Sequence, residues 1–182
     1  KGLRRLEYRG YDSAGVALLN SEKLQSIKKV GKVSALESLI DDSPISGYCG
    51  IAHTRWATHG EPNDVNAHPH IDQTKKIALV HNGIIENYDS IKEVLKKRGV
   101  LFTSSTDSEV LVQLISELYY NNNEKLSFED AVRAALQEVI GAYGFVVICE
   151  DEPRKIIAAR MGSPLVLGVG DGEFLIASDA SP

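Results

Sequence analysis

Donor-rich residues crowd one stretch of this sequence, His53-Thr54-Arg55-Trp56-Ala57-Thr58-His59-Gly60-Glu61-Pro62, which follows an apolar run and continues to Asn66-Ala67-His68-Pro69-His70. Loops that combine donors, an aromatic and turn residues are where proteins bind ligands. A second cluster, His81-Asn82-Gly83, sits where another apolar run, 77–80, gives out. The Arg55 guanidinium could fork a carboxylate, and Asp107, in the first turn after Ser104-Ser105-Thr106, could hold an ammonium. Together they would grip both charged ends of a free amino acid. Each also has a plainer reading, Arg55 as an exposed loop cation and Asp107 as an acid favoured by a helix dipole, and the residues alone leave both open.

Five histidines, His53, His59, His68, His70 and His81, raise the question of a metal. The spacing matches no ligand pattern: there is no H-E-x-x-H helix, the cysteines are not paired with histidines, and Pro69 favours an extended turn between His68 and His70. Structural hydrogen bonding is the expected role, and neither a metal nor an organic cofactor is expected. Cys49 and Cys149 lie in apolar stretches without partner spacing, so they read as buried free thiols of a reducing compartment.

The elements that must position these residues can be read from periodicity. Val110, Leu111, Leu114, Ile115 and Leu118 recur at helical spacing behind Thr106 and Glu109, a capping box. Phe128, Ala131, Val132, Ala135, Leu136 and Val139 define a second helix, capped by Ser127 with Asp130 in the box position and ended by Gly141. A third runs from Asn87 through Ile91, Val94 and Leu95 to Lys96, Lys97 and Arg98, cations suited to the negative end of the dipole, before Gly99. Shorter helices are expected at 3–8 and 33–40. Strands are expected at 15–19, 24–30, 48–54, 77–81, 143–150, 156–160, 165–169 and 173–177, with Asp171-Gly172 as a hairpin turn between the last two. The runs 77–80 and 145–148 are apolar on consecutive residues, as strands covered on both faces are.

Hairpins toward both ends and helices in the middle argue α+β with antiparallel sheets rather than a regular βαβ winding. The 182 residues suit one domain, 1–182, with no repeat or linker, and 43% hydrophobic and 25% charged residues are ordinary globular values. No apolar run approaches the roughly 18 residues a membrane span needs, so no membrane partner is expected and the cytoplasm is the default compartment. A net charge of -5 without a basic block argues against nucleic acid. The chain opens inside a helical pattern and stops beside a strand, and reads as cut at both ends.

Glu7-Tyr8-Arg9-Gly10-Tyr11-Asp12-Ser13-Ala14-Gly15, the 53–60 loop, Asn66-Ala67-His68-Pro69, His81-Asn82-Gly83-Ile84-Ile85-Glu86-Asn87 and Ser105-Thr106-Asp107-Ser108-Glu109 together resemble the class II glutamine amidotransferases. The likeness continues in register to Arg160-Met161-Gly162-Ser163-Pro164-Leu165 and Ile176-Ala177-Ser178-Asp179. Tyr11, Trp56 and His59 resemble the hexosamine-forming branch more than the phosphoribosylpyrophosphate branch. The resemblance implies an N-terminal-nucleophile hydrolase fold, an αββα four-layer sandwich of two antiparallel sheets between helices, truncated here at both ends. It implies hydrolysis of L-glutamine to glutamate and ammonia. The ammonia would pass to a downstream sugar isomerase domain of the same polypeptide, which turns fructose 6-phosphate into glucosamine 6-phosphate, in a parent that is a homodimer.

Carried onto this sequence, the resemblance implies that Arg55 forks the glutamine α-carboxylate and Asp107 pairs with its α-ammonium. Asn82 and the Gly83 N–H would form an oxyanion hole, Trp56, Thr58 and His59 would belong to a loop closing over glutamine, and Arg9 would lie near the nucleophile. That nucleophile, an N-terminal cysteine whose own α-amino group moves the proton, would lie upstream of Lys1, so the chain alone is expected to be inactive. Cys49-Gly50-Ile51 mimics the family's opening residues, but an interior cysteine has an amide where the mechanism needs a free amine. The competing expectations are a non-catalytic glutamine-binding module and another amidotransferase of the same superfamily.

Overall fold

Alternating side chains sort this chain into four layers, visible in a computed structural model that describes residues 1–21, 23–56, 61–122 and 125–180. Strands β1 (Ser13–Leu19), β2 (Leu24–Val30) and β3 (Cys49–Arg55) form one antiparallel sheet in the order β2-β1-β3. Strands β4 (His70–Ile71), β5 (Ile77–Ile85), β6 (Gly141–Cys149) and β7 (Ile156–Met161) form a second, β4-β5-β6-β7. Ala17, Leu19 and Ile51 of the first sheet pack on Ala78, Val80 and Ile148 of the second. Because successive strand residues face opposite ways, the intervening Ile77, Leu79, Phe145, Val147 and Cys149 point away from that seam. They bury themselves against α3 (Tyr88–Lys97), α4 (Asp107–Tyr120) and α5 (Phe128–Glu138). On the far side Ala14 meets Val33 and Leu36 of α2 (Val33–Asp42), with Leu3 of α1 (Gly2–Leu6) beside them. This is the expected α+β sandwich, helices outside two antiparallel sheets. Strands β8 (Val166–Val169) and β9 (Phe174–Ala177) add a separate two-stranded ladder, joined across Asp171-Gly172.

Local chemistry fixes the helix ends. Thr106 and Ser127 cap α4 and α5, accepting the N–H groups of Glu109 at 3.2 Å and Asp130 at 3.1 Å, each cap worth about 1 kcal/mol. Helix α3 closes in a Schellman arrangement, Gly99 N–H to Lys96 O and Val100 N–H to Leu95 O, with Gly99 at φ +89.

Three expectations need correcting. The Thr106/Glu109 box is only half formed: the Glu109 carboxylate instead accepts the N–H and hydroxyl groups of Thr103 and Ser104, binding the loop that leads into the helix. Gly141 does not end α5, which stops at Glu138 with Val139 already extended. Pairing with Ile85 makes Gly141 the first residue of β6. Cys149 is buried as expected, but Cys49, at the start of an edge strand, is only half-buried.

Candidate active site

The second polar cluster lies inside a strand rather than at its end. Pairing with β6 carries β5 past Val80, placing Asn82 opposite Gly144 and Gly83 opposite Tyr143. Asn82 shares its parity with Ala78 and Val80, so it faces the first sheet; His53 and Arg55 share theirs with Ile51, so they face the second. His53 Nε2 meets Asn82 Oδ1 at 2.9 Å. His81, of the opposite parity, faces α4, where its Nδ1 contacts Ser108 Oγ at 2.9 Å. A Cβ on Gly83, at φ +133, would fall 2.1 Å from the Ala142 carbonyl oxygen, so only glycine fits this approach of β5 to β6.

Asp107 begins α4, where the helix N-terminus favours an acid. Its Oδ2 accepts the Ile85 N–H at 2.9 Å, tying the helix to β5 just past Gly83. Arg55 ends β3, 5% exposed. Burial lowers its pKa from the ordinary arginine range, while the fields of Asp12 and Asp107 oppose that shift. Arg55, Asp107, Asn82 and Gly83 line one cavity of about 800 Å³.

Arg9 and Trp56 line the same cavity. Arg9 closes a short 3-10 turn, Glu7–Arg9, and reaches Ser178 Oγ at 3.2 Å and Asp179 Oδ2 at 3.4 Å, with the Tyr8 hydroxyl on that carboxylate at 2.8 Å. Trp56 is 61% exposed and lies against Tyr11, ring centroids 5.6 Å apart. Thr58 and His59 fall outside the described residues.

Four histidines pack together, His53, His68 and His81 lining the cavity and His70 behind them. His53 lies against His68 (centroids 4.3 Å) and His68 against the edge of His70 (4.7 Å). His68 Nδ1 accepts the His81 N–H at 3.3 Å, and His70 Nε2 pairs with the Thr106 hydroxyl at 3.0 Å. Burial is the largest influence on all four and holds them neutral: His53 falls to about 4, and His68, His70 and His81 are also lowered. Among the described residues no three His, Cys, Asp or Glu side chains converge as a metal would require. Burial also raises the Cys49 and Cys149 thiols, so neither is a ready thiolate.

A family model described as a glutamine amidotransferase domain matches residues 53–182. The chain belongs to the glutamine amidotransferase family. Within it the chain is 57% identical, over its whole length, to the glutamine--fructose-6-phosphate aminotransferases [isomerizing] of Bacteroides thetaiotaomicron and Chlorobaculum tepidum. It spans about 30% of the length of each of these relatives. Among solved structures it is similar to the glutamine phosphoribosylpyrophosphate amidotransferase of B. subtilis, with TM-score 0.82 and 29% identity over 97% of this chain and 38% of that one. No helix among the described residues is long and apolar enough to cross a membrane.

Two pairings in this amidotransferase site were not foreseen from sequence, His53 with Asn82 and Ser108 with His81. His53 was expected to make a structural hydrogen bond but was not paired with Asn82, and Ser108 stood only as part of a motif. The signal for His53 was available: it stands two residues before Arg55 on one strand, and so on the same face.

Proposed function

We propose that this chain is the glutamine-hydrolysing part of a longer enzyme that transfers the ammonia to fructose 6-phosphate, forming glucosamine 6-phosphate. The observation that carries the reading is the cavity shared by a guanidinium, a carboxylate and a primary amide, Arg55, Asp107 and Asn82. Arg55 forks the α-carboxylate of L-glutamine, and Asp107 pairs with its α-ammonium. The γ-carboxamide then extends toward Asn82 and Gly83, which receive the negative charge that develops on its oxygen. A preorganised donor of this kind lowers a barrier by about 3 kcal/mol.

The attacking group in this reading is the thiolate of an N-terminal cysteine upstream of Lys1. It bonds to the amide carbon, its α-amino group delivers the proton on which ammonia leaves, and water cleaves the resulting thioester to glutamate. Arg9 stands near that thiol, and Trp56, Thr58 and His59 belong to a segment that closes over the substrate. The ammonia passes to a sugar isomerase domain on the same polypeptide, the chain itself being one incomplete glutaminase domain. We also assign the parent to the cytoplasm as a homodimer. The names of the relatives, which are metabolic enzymes, support the compartment, and the family resemblance supports the dimer.

The clamp is tested in the full-length enzyme by comparing L-glutamine with 4-carbamoylbutanoate, which lacks the α-ammonium, and 4-aminobutanamide, which lacks the α-carboxylate. Both analogues should be hydrolysed with kcat/KM at least a hundredfold lower. Equal rates for either would remove the corresponding residue from the clamp.

A further inference from the structure

Resting on that glutaminase reading, we propose that His53 is a positioning residue whose Nε2–H holds Asn82 Oδ1, so that the Asn82 Nδ2 amino group is the edge offered to the reacting carbonyl. An asparagine amide has a broad preference about its last torsion, and its two ends are opposite in character. Presented by nitrogen it donates to a developing oxyanion; presented by oxygen it repels one. A hole built on asparagine therefore needs something to choose the edge.

His53 supplies the side-chain hydrogen bond to this amide, at 2.9 Å. Beyond the strand ladder, the backbone carbonyl of Asn82 accepts the Ser163 hydroxyl at 3.4 Å. Nδ2 has no bonding partner among the described residues, and Asn82 borders the cavity. The amide is thus tied at its acceptor end and left with its donors uncommitted.

The proton of His53 must lie on Nε2 for this to work, and the surroundings favour that tautomer. Nδ1 is buried without a hydrogen-bond partner among the described residues. A proton there would leave an orphaned N–H, rarer and costlier than a lone pair without a donor. Burial, together with the cations Arg55 and Arg9 and the neighbouring His81, keeps the ring from taking a second proton. The ring cannot easily turn either, because it is stacked on His68, whose Nδ1 is fixed by the His81 N–H. His53 therefore acts through Asn82 while Arg55, two residues on, handles the substrate's carboxylate.

The test uses the full-length glutaminase and four variants: His53→Leu, His53→Gln, Asn82→Ala and the His53→Leu/Asn82→Ala double. His53→Leu should lower kcat at least tenfold and leave the glutamine KM within about threefold, since the clamp is untouched. His53→Gln, whose amide can place an N–H near the lost Nε2, should recover most of the rate. The double variant should be no slower than Asn82→Ala. A kcat loss that multiplies with that of Asn82→Ala, a KM that rises in step, or no loss in His53→Leu would overturn the proposal while leaving the glutaminase reading intact. An unchanged kcat in Asn82→Ala would instead remove the oxyanion role itself, and His53's with it. Nitrogen-15 spectra of the unmodified enzyme give a check independent of any variant's folding: His53 should carry its proton on Nε2 between pH 5 and 8, and a proton on Nδ1 would refute the assignment.

Discussion

The Asp107 carboxylate accepts the backbone N–H of Ile85 at 2.9 Å, so the residue proposed to hold a substrate ammonium also anchors the strand that carries Asn82 and Gly83. In that proposal binding and structure share one side chain, and the two roles can be separated by substitution. Asparagine keeps an oxygen for the Ile85 N–H but removes the charge, whereas alanine removes both. Asp107→Asn should keep thermal stability within a few degrees while raising the glutamine KM at least tenfold. Asp107→Ala should add a stability loss of about 1–3 kcal/mol from the stranded N–H, read by urea unfolding. An unchanged KM in Asp107→Asn would take the carboxylate out of the clamp.

Gly83 is a position that cannot accept a side chain without strain. Its φ of +133 is unfavourable for any other residue, and a Cβ would overlap the Ala142 carbonyl. Gly83→Ala should cost about 1–3 kcal/mol of stability, measured by chemical denaturation, because β5 and β6 would have to part where Gly83 faces Tyr143.

Acid should destabilise this domain before its carboxylates titrate. His53, His68, His70 and His81 all have pKa values lowered by burial, so between about pH 6.5 and pH 4 the unfolded chain binds protons that the folded chain refuses. Stability therefore rises with pH through that window and is fully present above it. With His53 falling from 6.5 to about 4, this one residue accounts for a loss of about 3 kcal/mol on going from pH 7 to pH 4. Urea midpoints at pH 7, 6 and 5 should fall progressively, and a flat profile would show that the rings are not held neutral.

Cys49 should prove dispensable. It borders the cavity, but burial raises its pKa and its nitrogen is an amide. Cys49→Ala in the full-length enzyme should leave the glutaminase rate within twofold, and abolished activity would make this thiol the nucleophile.

Much of the fold was legible because its signals are local. Helices α3, α4 and α5 announced themselves through apolar spacing and through Thr106, Ser127 and Gly99 at their ends, and the Thr106 and Ser127 side chains cap their helices by accepting the Glu109 and Asp130 N–H groups. Strand β2 was legible to the residue. The motif-bearing residues Arg55, Asn82, Gly83 and Asp107 were also found in sequence, since their types restrict what they can do.

What the sequence alone could not decide depends on partners distant along the chain. Strand β5 extends through Asn82 and Gly83 only because β6 pairs with it there, and the same pairing turns Gly141 from a helix terminator into the start of a strand. Glu109 looked like a capping-box acid, yet Thr103 and Ser104 offered its carboxylate four donors, and the box was left half made. The meeting of His53 with Asn82 is of the same kind. Composition and periodicity determine which way each side chain points from its own strand, but only the packing of one sheet on the other decides which two side chains face each other across the gap.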